Sequence, residues 1–131
     1  MPAPTPTEVV MDLLDRLEKP GGFADAIRAT FTDKTRYVNV GMTDSTGIEE
    51  GLGVVTMFEQ VLGMSYLKVE MLAIAENGNQ VLTERIDSLY THDGTLAISL
   101  AIAGIFDVED GKIVGWRDYF DTASVLGQDK Q

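Results

Sequence analysis

The chain has 131 residues, 44% apolar and 24% charged, with a formal net charge of −11 at pH 7. This length suits a single domain over residues 1–131, and so acidic a surface repels phosphate backbones, which argues against nucleic-acid binding. The absence of cysteine excludes disulfides, thiolate nucleophiles and Cys-based metal sites.

The N-terminal stretch "MPAPTPTEVVMDLLDRLEK" lacks a basic start followed by an apolar block, so no secretory signal is expected. No run of about 18 apolar residues predicts a membrane span, which makes a cytoplasmic location the expectation. "TPTE" predicts a helix start. Thr5 is the N-cap, Pro6 suits the first helical position and Glu8 completes a capping box. Val10, Leu13, Leu14 and Leu17 follow at helical spacing, until "KPGG" ends the pattern. A second short helix presents Phe23, Ala26, Ile27 and Phe31 on one side. "TRYVNVGMT" reads as a strand. "GIEEGLGVVTMFEQVLGM" reads as a third helix with Val54, Phe58, Val61 and Leu62 inward, its start weakened by Gly51 and Gly53.

In the second half come four strand-like runs, "SYLKVEMLAIAE", "QVLTERIDSLYT", "TLAISLAIAGIFDVE" and "KIVGWRDYFD". "NGN", "HDG" and "EDG" separate them, and such turns signal hairpins. Helices followed by an antiparallel meander make an α+β fold. The single histidine, His92, reads as a solvated turn residue, not a metal ligand. "TASVLGQDKQ" reads as a polar tail prone to fray. "LAISLAIAGIF" is apolar on both faces and needs cover on both. Either a second copy of the chain supplies the outer cover, or the sheet curls on itself.

The run "VLTERIDSLY" breaks the usual alternation. Val81, Thr83, Arg85, Asp87 and Leu89 share one face, so Arg85 and Asp87 lie about 6.6 Å apart among apolar neighbours. A partner for them on a neighbouring strand comes from "IVGWRDYFD", where Val114, Trp116, Asp118 and Phe120 share a face. That face is apolar and aromatic except for Asp118. Glu84 and Arg117 lie on the opposite faces and read as solvent or interface charges. "RYVN" places the hydrogen-bonding side chains of Tyr37 and Asn39 together. Leu89, Leu100 and Ile102 have the parity of apolar walls.

One arginine between two carboxylates carries a charge of −1, and a dry pocket favours one shared proton. One aspartate is then an acid and the other a base at the same pH, the pairing that push–pull chemistry needs. The alternative reading is a set of ion pairs of little energetic value, with Trp116 and Phe120 as plain core.

Three pieces, "YVN", "LTERID" and "GWRDYFD", make the chain resemble the limonene-1,2-epoxide hydrolases, with likeness over most of its length. The resemblance implies a strongly curved, cystatin-like α+β barrel around a deep pocket, of the group that also holds ketosteroid isomerases and polyketide cyclases. It also implies a homodimer without cofactor or metal. By the same resemblance Asp118 is the general base on a water held with Tyr37 and Asn39. Asp87 is the acid that protonates the epoxide oxygen, and Arg85 bridges the two aspartates. Trp116, Leu89, Leu100, Ile102 and Phe120 are the expected substrate contacts. Two rival readings are an isomerase- or cyclase-like proton-transfer enzyme and a non-catalytic binder of small apolar ligands.

Overall fold

The computed structural model describes residues 3–127. Helix α1 (Pro6–Arg16) starts where its sequence predicts. The Glu8 backbone N–H donates to the Thr5 hydroxyl at 3.1 Å, and the Thr5 N–H donates to Glu8 Oε1 at 2.8 Å. A cap of this kind stabilises a helix by about 1 kcal/mol. Val9, Val10, Leu13 and Leu14 form its buried stripe.

Helix α2 (Gly22–Thr30) buries Phe23, Ala26 and Ile27. Phe31 is not part of that helix; it is buried as the first residue of β1 (Phe31–Asn39). The expected single strand over 35–43 is divided by a turn, after which β2 (Thr43–Thr46) pairs back on β1.

Helix α3 (Gly47–Leu62) turns Gly51, Val54, Val55 and Phe58 inward, with Leu62 half-buried. Val61, expected to be inward, is 65% exposed, because it falls beyond the edge of that stripe in the last turn. Gly51 lies against the Phe31 ring, where an added Cβ would sit only 3.2 Å from Phe31 Cε2. The glycine that weakens the helix locally thus permits close packing of α3 on β1.

Strands β3 (Tyr66–Asn77), β4 (Gln80–Tyr90), β5 (Leu96–Glu109) and β6 (Lys112–Tyr119) form the expected antiparallel meander. The sheet order is β2-β1-β6-β5-β4-β3, and β1 runs parallel to β6, so the six-stranded sheet is mixed. It is not strongly curled, contrary to the barrel expectation. Its edges, β2 and β3, stay apart because α1, α2 and α3 cover the inner face that curling would otherwise have to cover.

A register shift at Asp107/Val108 alters the parity at the start of β6. Ile113 is therefore fully buried there and Val114 only half-buried. A short helix, α4 (Thr122–Leu126), replaces the first part of the expected polar tail, with Asp121 as its cap. The rest of that tail, residues 128–131, lies outside the described residues. No helix among the described residues is long and apolar enough to cross a membrane. On the outer face of the sheet, Ala101 and Ala103 of β5 and Leu82 of β4 are exposed.

Candidate active site

Strand β4 accounts for its own mixed pattern. Val81, Thr83, Arg85, Asp87 and Leu89 are all buried on the helix-covered face, whereas Leu82 and Glu84 face outward and are exposed. The two charged residues on the inner face are paired. Arg85 Nε donates to Asp87 Oδ1 at 3.0 Å, and Nη2 donates to Asp87 Oδ2 at 2.9 Å. The same Nη2 donates to Asp118 Oδ2 at 3.0 Å. These are charge-assisted bonds, and the pair to Asp87 is bidentate.

The strand of Asp118 is not the neighbour of β4, as the sequence reading expected. Strand β5 lies between them, and the guanidinium reaches across it. Arg85 is fully buried behind the two carboxylates, which line a pocket together with Tyr37 and Asn39.

Strand β1 reaches this pocket because it is parallel to β6. The register sets Tyr37 beside Trp116 and Asn39 beside Asp118. Tyr37 stacks on Trp116 with ring centroids 4.3 Å apart, and Asn39 Nδ2 donates to Thr43 Oγ1 at 2.9 Å. The five polar residues read from the sequence therefore converge at one place. The five expected wall residues, Trp116, Leu89, Leu100, Ile102 and Phe120, line the same pocket. The helices supply further walls that strand parity could not reveal: Phe23 of α2, Phe58 and Leu62 of α3, and Val125 of α4.

Trp116 has a second contact, since its indole N–H donates to Asp118 Oδ1 at 2.7 Å. Thr83 was also unforeseen. Arg85 Nη1 donates to the Thr83 hydroxyl at 2.8 Å, and that hydroxyl donates to the Gly104 carbonyl at 3.0 Å. No sequence signal marked Thr83 except its place on the face of Arg85. Outside the pocket, Arg117 pairs with Asp107 at 2.7 Å, half-buried on the outer side of the sheet. His92 is exposed.

The electrostatics follow from burial. Desolvation pushes the Asp118 carboxyl above its ordinary range. The Asp87 charge adds to this, while Arg85 and the Trp116 N–H oppose it. Tyr37 is likewise raised, first by burial and then by the charge of Asp118, so it is a neutral phenol at pH 7. Burial disfavours the Arg85 cation, but the Asp118 and Asp87 charges outweigh this and hold it protonated. The arrangement combines a permanent cation, a carboxyl that readily accepts a proton, a second carboxyl, and neutral hydrogen-bonding groups in a largely apolar pocket. Among the described residues no group of three or more His, Cys, Asp or Glu is placed to hold a metal.

The model of the limonene-1,2-epoxide hydrolase catalytic domain matches residues 4–131. Epoxide hydrolase EphG of Mycobacterium tuberculosis is 36% identical over 97 residues, covering 74% of this chain. The chain spans only 62% of that relative's length. A solved limonene-epoxide-hydrolase-like epoxide hydrolase from M. tuberculosis is 31% identical with a TM-score of 0.72, covering 93% of this chain and 86% of that one. An NTF2-like protein of unknown function from Burkholderia pseudomallei superposes with a TM-score of 0.76 at 14% identity, covering 96% of this chain and 98% of its own. That last likeness concerns the fold alone.

Proposed function

The chain belongs to the limonene-1,2-epoxide hydrolase family, and from that premise we propose that it adds water to a small, mostly apolar epoxide in one step, giving a vicinal diol. The observation that carries this reading is a fully buried arginine joined to two carboxylates that line a largely apolar pocket.

An epoxide is strained, but its oxygen leaves poorly until protonated, and water attacks poorly until it loses a proton. Asp87 donates its proton to the epoxide oxygen as the C–O bond breaks. Asp118 takes a proton from the attacking water as the new C–O bond forms. Arg85 stays a cation throughout, and the step moves one proton out of Asp87 and one into Asp118. Afterwards the two aspartates have exchanged states. The net charge of the site is unchanged, which matters because a dry pocket penalises any charge that builds up. Its raised pKa makes Asp118, once ionised, a stronger base than an ordinary carboxylate. Tyr37 and Asn39 orient the water, and Trp116, Leu89, Leu100, Ile102 and Phe120 hold the hydrocarbon part of the substrate.

A panel of cyclic and acyclic epoxides, followed by one turnover in ¹⁸O-labelled water with enzyme in excess, tests the reading. Diol labelled in that first turnover, with Asp87 and Asp118 unlabelled, is the expected result. Unlabelled diol would mean an aspartyl ester intermediate. No opening of any epoxide, with turnover of a steroid enone, would favour proton transfer beside a carbonyl.

Tyr37→Phe and Asn39→Ala are each expected to lower kcat more than they raise KM, since they act on the water and not on the epoxide. Steady-state kinetics on one epoxide checks this, and a raised KM with unchanged kcat would assign them to substrate binding.

We also propose a homodimer, formed over the outer face of the sheet where Leu82, Ala101 and Ala103 are exposed. Light scattering at micromolar concentration is expected to give twice the 14.3 kDa chain mass.

A further inference from the structure

We propose that Thr83 and Gly104 are positioning residues for the acid–base pair: Gly104 leaves the passage by which Arg85 crosses β5, and Thr83 anchors the guanidinium at the near end of that passage. The inference rests on the epoxide-opening reading for its kinetic consequence, although its structural consequence can be read without turnover.

Arg85 faces Ile102 on β5, and Asp118 on β6 faces Gly104. Arg85 and Asp118 are thus two strands apart, roughly 9–10 Å between backbones. They also lie two residues apart along the strand direction, since Gly104 faces Thr83 and not Arg85. To touch Asp118, the guanidinium must run obliquely over β5, and the residue beneath its path is Gly104. An added Cβ at Gly104 would collide with Arg85 Nη1 and with Asp118 Oδ1, and would crowd Thr83 Oγ1 at 3.0 Å. Every other residue type carries that carbon. A glycine in the middle of a β-strand is unfavourable on propensity alone and marks a close approach of other groups.

Thr83 completes the arrangement. Its hydroxyl donates to the Gly104 carbonyl, so a lone pair is left to accept from Arg85 Nη1. The bond therefore has one polarity, and the hydroxyl cannot exchange roles. Arg85 is held by Thr83 on one side and by Asp87 and Asp118 on the other. A valine at position 83 would keep the branched shape and leave a buried guanidinium N–H without its acceptor.

Three variants test this: Thr83→Val, Thr83→Ser and Gly104→Ala, each shown to be folded by its thermal transition. Two properties are measured. One is kcat and KM on an epoxide that the parent opens. The other is the pH titration of fluorescence from Trp116, the one tryptophan of the chain, whose N–H sits on Asp118. The ionisable groups facing Asp118 are Arg85 and Asp87 from β4 and Tyr37 from β1.

Thr83→Val is expected to lose about tenfold or more in kcat with little change in KM. Its fluorescence midpoint is expected to move to higher pH, because a looser Arg85 stabilises the carboxylates less. Thr83→Ser is expected to restore both, and Gly104→Ala to lose more kcat than Thr83→Val. The proposal is overturned if Thr83→Val matches the parent in kcat and midpoint, or if Thr83→Ser is as impaired as Thr83→Val. A folded Gly104→Ala with parental turnover also overturns it. If Gly104→Ala does not fold, the two Thr83 variants decide. If the parent opens no epoxide, the functional reading fails separately, and the fluorescence midpoints still decide the role of Thr83.

Discussion

Asp118→Asn is expected to slow epoxide opening by roughly 10²–10⁴-fold or more, with a thermal transition close to that of the parent. The amide fills the space of the carboxyl, and Trp116 and Arg85 remain beside it, but it cannot take a proton from water. Arg85 keeps its two bonds to Asp87, at 3.0 and 2.9 Å, so the loss falls on the base alone. Rapid-quench measurement of diol formation checks this, and a loss below tenfold would remove Asp118 from the role of base.

Arg85→Lys is expected to be nearly as damaging, although it keeps the charge. The guanidinium makes four bonds here, from Nε and Nη2 to Asp87, from Nη2 to Asp118 and from Nη1 to Thr83. A lysine has three donors on a single nitrogen and no planar fork, so it cannot reproduce the bidentate pair while spanning β5. The two carboxylates lose their fixed spacing, and in catalysis a small displacement is costly. Turnover should fall by about 10²-fold or more while circular dichroism stays that of a folded α+β protein. Near-normal turnover would show that only the positive charge matters.

Much of this site is legible in the sequence because strand parity is a local property. Alternation alone puts Arg85, Asp87 and Leu89 on one face, and Tyr37 with Asn39 on another. It cannot say which strands are neighbours. The parallel pairing of β1 with β6, which brings Asn39 to Asp118, joins segments about 80 residues apart and leaves no periodic mark. The same blindness hid β5 between Arg85 and Asp118, and with it the role of Gly104. Helix α1 was readable to its first residue because capping is encoded within four positions. Val61 lies outside the expected stripe because helical spacing gives a face but not the depth of each position on it. The openness of the sheet is not legible in the sequence, because curvature depends on what the helices cover, which is a property of the assembled layers.

The complete burial of Arg85, Asp87 and Asp118 also bears on how firmly the chain folds. Desolvating three ionisable groups opposes folding, and their mutual attraction returns only part of that cost. Asp118 binds its proton more tightly in the folded chain than in the unfolded one. Its contribution to stability is therefore present in full below about pH 3.9, the ordinary carboxylate value, and is lost as pH rises through the raised folded value. At the pH where Asp118 is ionised and ready to act, the native state has given up that contribution. Packing the same three positions with aliphatic side chains would make a tougher protein with no acid and no base. Selection for heat resistance and selection for turnover thus pull in opposite directions at the same three positions of the sheet.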